Sequence, residues 1–332
     1  MAKKILVTGV ARLLVVLICA AMLRADLKVT IREYDVPTAK EHPHDPAVAP
    51  DGALWYTGQF ANRLGRLDPS TGTIKEFSLK RPDSGPHGLV ADSAGNIWFT
   101  GNFTGYIGKL DPRTGEVTEY NMPDKRAEDP HSLVIAPDGT IFFTVQNSNF
   151  IGRLEPKTGK VEVKQVQTEG ALPYGIVIGP DGAPYFCEFG KSKIGRIDPK
   201  TLEIREFTLV PNSRPRRLAA APDGFLYYTD FNRGFLGRLD PKTGKVMEWP
   251  SPAGKEADPY GIAAASDGII WYSESGPRPN TLVAFDPKTE KFQTWPIHSG
   301  GGVVRNMVAT PDGRLYLACS GVNKVAIVTI TR

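Results

Sequence analysis

A turn of Asp-Gly type, or its equivalent, ends at Gly52, Gly95, Gly139, Gly182, Gly224, Gly268 and Gly313, at intervals of 42–45 residues. This sevenfold repeat predicts an all-β chain folded as a seven-bladed β-propeller. Two further observations support that reading. Units carry adjacent aromatic residues just after the turn, as in Trp55-Tyr56, Trp98-Phe99, Phe142-Phe143 and Trp271-Tyr272, so the second strand of each small sheet is expected to be buried on both faces. The last copy stops after three strands, and a strand-like segment near the N-terminus is the expected fourth.

The first 25 residues are of another kind. Lys3, Lys4 and Arg12 precede or enter an apolar run from Leu13 to Met22, and no acidic residue occurs before Asp26. That pattern reads as a secretory signal peptide over residues 1–25, followed by the propeller over 26–332. Cleavage after Ala21 and after Ala25 both remain open. Ten or so apolar residues are too few to cross a hydrocarbon layer of ~30 Å, so the mature protein is expected to have no membrane span and to be secreted or periplasmic. The formal charge of +4 is accounted for by Lys3, Lys4, Arg12 and Arg24. A neutral mature chain has no basic excess for meeting phosphates, so no nucleic-acid partner is expected.

Pro86 to Pro123 illustrates the repeating unit. A short apolar run leads into the turn, Trp98-Phe99 follows, and after a loop come Ile107-Gly108-Lys109-Leu110 and the turn Asp111-Pro112-Arg113-Thr114-Gly115. Proline presets one turn residue and glycine supplies positive φ, so each unit should form four short antiparallel strands. The N-terminal Arg32-Glu33-Tyr34 matches Lys75-Glu76-Phe77, Thr118-Glu119-Tyr120, Arg205-Glu206-Phe207 and Met247-Glu248-Trp249 at the fourth-strand position. Residues Val29 to Pro37 should therefore complete the seventh blade and leave the ring no open edge.

In such a ring the short, near-identical turns share one face and the variable loops share the other, where function usually sits. Eight residues before each turn glycine stand His44, His87, His131, Tyr174, Arg216, Tyr260 and Arg305, which should ring the central channel. Six residues after it stand Gly58, Gly101, Val145, Glu188, Asp230, Glu274 and Cys319, expected as a second set on the same face. All five histidines, His42, His44, His87, His131 and His298, fall in connections leading into a first strand. Gly58 and Gly101 are expected to leave a hollow for a ligand above blades 1 and 2. Histidine can act as ligand, acid or base near neutral pH, which makes this ring a candidate site. Cys187 and Cys319 fall in distant blades and read as structural rather than disulfide-bonded.

The P-x-G-[IL], P-D-G, W-F-T and I-G-R-[LI]-D-P elements resemble the virginiamycin B lyase (streptogramin lyase) family, over residues 28–332. The resemblance implies a seven-bladed propeller and a carbon-oxygen lyase that opens the ester ring of a cyclic depsipeptide by magnesium-assisted elimination. It also implies a Pro-His at the start of one blade, an acid-Pro-His at the next, and a Glu after that blade's second strand. Pro86-His87 and Asp129-Pro130-His131 match the first two elements, and the third falls on Val145. On this basis His131 is the expected general acid/base and His87 the residue that orients substrate, while Asp129 and Glu188 are candidate metal ligands. His44, Tyr174, Arg216, Tyr260 and Arg305 are the candidate substrate-binding residues. Magnesium is the implied cofactor; calcium, which also takes oxygen donors, and zinc, which suits imidazoles, stay open. The expected partner is a small-molecule substrate, and the chain is expected to be a monomer.

Two other readings remain. One is a calcium-dependent lactonase resembling gluconolactonase-like propellers, using Glu188, Asp230 and Glu274. The other is a non-catalytic binding module that presents Arg216, Arg217 and Arg305 to a protein or an anionic ligand.

Overall fold

The computed structural model describes residues 27–331. The proposed signal peptide lies outside them. Seven four-stranded antiparallel sheets follow one another, so the chain is all-β and the expected propeller is formed. Blade 2 is representative, with strands Pro86–Ala91, Ile97–Gly101, Tyr106–Asp111 and Glu116–Asn121 running from the channel outwards. The N-terminal strand Lys28–Asp35 pairs with Lys324–Thr331, from Lys28 opposite Thr331 to Asp35 opposite Lys324, as the repeat register requires.

The repeat's motifs have separate physical jobs. Trp98 and Phe99 are both buried, yet they belong to different clusters: Phe99 packs with Trp55 and Leu64 of blade 1, and Trp98 with Phe143 and Ile141 of blade 3. Successive strand residues point to opposite faces, so one aromatic pair joins three blades. Each such side chain contributes roughly 1.5–3 kcal/mol by leaving water. Gly108 answers to the same pair, because a Cβ there would lie 2.2 Å from the Phe99 ring. At the turn, Gly95 has φ of 85° and open space around it, so its requirement is conformational, not steric.

Every first strand has a register irregularity just inside its outer end, between Pro86 and Leu89 in blade 2. Bulges re-aim side chains. This one coincides with the ring position in all seven blades. Among the described residues no helix is long and apolar enough to cross a membrane.

Candidate active site at the channel mouth

The threonine of the W-F-T element holds the ring residues in place. Thr100 accepts from Gly88 N at 2.8 Å and donates to the carbonyl of His131, in the next blade, at 2.9 Å. Thr57 does the same between Asp45 N and the His87 carbonyl, and Thr144 and Thr229 reach the carbonyls of Tyr174 and Tyr260. Each hydroxyl is buried, and its donor bond to the adjacent carbonyl ties one blade's strands to its neighbour's ring residue.

So held, the seven predicted positions do converge. The imidazoles of His44 and His87 lie 3.6 Å apart between centroids, those of His87 and His131 3.8 Å, and His131 lies 4.0 Å from the Tyr174 ring. The Tyr174 and Tyr260 hydroxyls are hydrogen-bonded to each other, and the Arg216 guanidinium sits 3.6 Å above the Tyr260 ring. A cavity of about 340 Å³ opens over this circle and is lined by His44, His87, His131, Tyr174, Arg216 and Arg305. Its rim adds His42, Gln59, Phe60, Asn102, Phe103, Gln146 and Phe189. His298, the fifth histidine, is exposed and not part of it.

One layer deeper the channel is closed by an ion pair. Arg217 donates to Asp45 from Nη2 at 2.7 Å and from Nη1 at 3.2 Å, and also to Ser132 Oγ at 3.2 Å. Asp45 accepts from His44 Nδ1 as well, at 2.9 Å.

The electrostatics follow from burial among arginines. Burial holds the His44, His87 and His131 imidazoles well below the usual histidine range; Arg305 adds to this for His44, His44 for His87, and His87 for His131. Burial, with Arg305, also brings His42 down to about 4. The imidazoles are therefore neutral at pH 7. Burial opposes ionisation of Tyr260, but the Arg216, Arg217 and Arg305 charges outweigh it and lower that phenol, while burial and then Tyr260 raise Tyr174.

The second predicted set is not on the channel face. Its members are buried inside their own blades, and the hollow expected beside Gly58 and Gly101 is filled. A Cβ at Gly58 would meet Glu41 Oε1 at 2.0 Å, and one at Gly101 would meet the Tyr106 ring at 2.0 Å. Glycine here admits a neighbour's side chain, not a ligand. Asp230 accepts from Arg214 N and Arg233 Nε, and Glu274 from Ser251, Ala253 N and Thr281. Glu188 sits in blade 4 beside Glu206 and Lys193; burial first, then Glu206, raises its carboxyl to about 8. The calcium site expected from Glu188, Asp230 and Glu274 is thus not formed.

The candidate metal ligands are likewise separated. Asp129 accepts from Asn147 N at 2.7 Å and from Ser148 N and Oγ at 3.1 and 2.7 Å, which closes its own loop, and neither Asp129 nor Glu188 lines the cavity. Magnesium prefers oxygen donors, and no carboxylate is among the lining residues. His44, Asp45 and His87 bring one ligand atom each within 4.8 Å of one another, but Asp45 is already paired with Arg217. The donors present do not fit magnesium. Cys187 and Cys319 are buried free thiols, as expected of structural cysteines.

The fold is a propeller of streptogramin-lyase type. The sequence model of the virginiamycin B lyase family matches residues 19–240, and the chain belongs to that family. A streptogramin B lyase structure superposes with a TM-score of 0.83 at 27% identity, over 91% of this chain and 98% of that one. Selenomethionine-substituted virginiamycin B lyase from Staphylococcus aureus gives 0.83 at 25%, over 92% and 100%. A catalytically inactive histidine-to-alanine form of that enzyme, solved with quinupristin, gives 0.83 at 24%, over 92% and 100%. No curated protein matches the sequence.

Proposed function

We propose that the protein is a lyase that opens an ester or lactone in a cyclic, depsipeptide-like substrate by elimination at the channel mouth. The observation that carries the proposal is the state of His87. Its Nδ1 lies 3.1 Å from the backbone carbonyl of His131, an acceptor only, so Nδ1 bears the proton and Nε2 keeps its lone pair. His87 is thus a neutral base in a cavity it lines. His131 differs. Its Nδ1 faces Ser132 Oγ at 3.0 Å, and that hydroxyl, already accepting from Arg217, donates to it and puts the imidazole proton on Nε2. On this reading His87 abstracts the proton and His131 donates a hydrogen bond, the reverse of the roles the resemblance implied.

In the proposed step, His87 Nε2 takes the proton from the carbon next to a carbonyl. The C–H electrons become a C=C bond, the ester C–O bond breaks, and its pair leaves on the carboxylate. No water is consumed. Arg216, Arg305 and the His131 N–H favour the negative charge that develops. The family membership and the leader-like N-terminus support an exported enzyme acting on a small cyclic ester.

The purified full chain would be incubated with quinupristin and the products weighed by mass spectrometry. Elimination leaves the mass unchanged and creates a double bond that absorbs in the ultraviolet. His87→Gln should remove turnover. A product that has gained water, or a His87→Gln variant as active as the parent, would sink the reading.

A further inference from the structure

Arg216 and Arg305 are the half-buried cations of the mouth, and both lack a carboxylate partner among the described residues. The Nε atom of each is buried without a hydrogen-bond partner. Their neighbour Arg217, in contrast, is held by Asp45. The Arg216 guanidinium lies over the rings of Tyr260 at 3.6 Å, Phe231 at 4.3 Å and Phe189 at 5.1 Å. Aromatic faces satisfy the plane of a guanidinium, but not the N–H groups along its edge. A desolvated cation without a counter-charge is costly, and here no acidic side chain lines the cavity to offset it. An anion from outside is the missing partner.

Part of the rim is apolar. Phe60 and Phe103 are 63% and 53% exposed, two of the three large apolar side chains so exposed among the described residues, and both line this cavity. Phe60 is backed by the His42 ring, stacked at 4.5 Å. One cavity therefore offers two guanidinium groups without a counter-charge and two open aromatic faces.

We infer that Arg216 and Arg305 form a carboxylate-binding subsite, which takes the acid end of a small ligand whose aromatic or apolar body lies against Phe60 and Phe103. Planar two-point donation suits the guanidinium fork to a carboxylate. The inference specifies the substrate class of the site proposed above and rests on that reading for its location: ester elimination releases a carboxylate, and this pair would receive it. Products bearing a free acid would then bind in the absence of chemistry.

Benzoate and its neutral isostere benzamide separate charge from shape. Calorimetric titration of the full-length protein at pH 7 and low salt should show saturable binding of benzoate and none of benzamide. Arg305→Gln and Arg216→Gln should each weaken benzoate by tenfold or more. Benzoate binding by the parent needs no turnover, so it survives even where the elimination reading fails. Equal binding of the two probes by the parent protein, no benzoate binding, or undiminished affinity in a folded Arg305→Gln variant would overturn the subsite. The comparison of probes on the parent needs no variant to fold.

Discussion

Arg217 of blade 5 reaches across the channel to Asp45 of blade 1, with Nη2 and Oδ1 2.7 Å apart although 172 residues separate them in sequence. The pair is buried, with side chains 6% and 4% exposed. Its effect is to bolt opposite sides of the ring together beneath the cavity. Removing one partner leaves the other charge buried and alone, which costs about 3–5 kcal/mol. Asp45→Asn should therefore lower the urea midpoint steeply, and the combined Asp45→Asn, Arg217→Met variant should recover much of the loss. Additive losses in that double-mutant cycle would show that the pair is not coupled.

Thr100 connects the stability of blade 2 to the geometry of the site, through its bond to the His131 carbonyl. The same carbonyl accepts from His87 Nδ1 and sets that tautomer. Thr100→Val keeps the shape and leaves Gly88 N without its acceptor, a cost of roughly 1–3 kcal/mol. On the proposed mechanism it should also lower kcat more than it raises KM. Thr100→Ser, which restores the hydroxyl, should recover both.

For His87 the sign of the pH effect is set by its lowered folded value. The native state then binds fewer protons than the unfolded chain below the ordinary histidine range, so stability is present above about pH 6.5 and is lost as pH falls below it. Activity should behave differently. Because the imidazole stays neutral, kcat/KM should remain level from pH 7.5 down to about 6, without the fall an ordinary histidine base would give. A profile that declines with an apparent pKa near 6.5 would contradict the environment described for His87.

Glu41 works in the opposite direction. Its carboxyl fills the space left by Gly58, receives no hydrogen bond, and is raised to about 8 by burial and then by Glu76. The folded protein holds this proton while the unfolded chain has released it, so stability falls as pH rises from about 4.5 to 8. Glu41→Gln keeps the shape without the charge. Its melting temperature should exceed that of the parent by a margin that widens across that range, as followed by circular dichroism. A constant margin would mean that Glu41 does not titrate there.

The extent to which the site was legible in sequence follows from the same residues. Counting eight back from each turn glycine found the channel ring, since local turn and strand periodicity recurs in every unit and puts equivalent residues at equivalent places. Counting six forward found a second set of equivalent residues but misjudged their direction. Glu188 and Gly58 end strands whose pleat turns them into the blade, and the strand sequence alone does not reveal which face becomes the channel. The threonine of W-F-T was visible as a motif throughout, but its bond to the next blade's carbonyl was not.

The amino-acid order by itself determined the number of blades, the N-terminal strand that closes the ring, and the circle of His44, His87, His131, Tyr174, Arg216, Tyr260 and Arg305. Each of these depends on repetition over short distances along the chain. Tertiary structure alone decided that Glu41 and Tyr106 occupy the glycine gaps, that Asp45 neutralises Arg217, and that Arg216 and Arg305 are left facing the cavity without a counter-charge. Those outcomes depend on which distant side chain arrives at a given buried charge or vacancy, and closure of the ring is what brings them together.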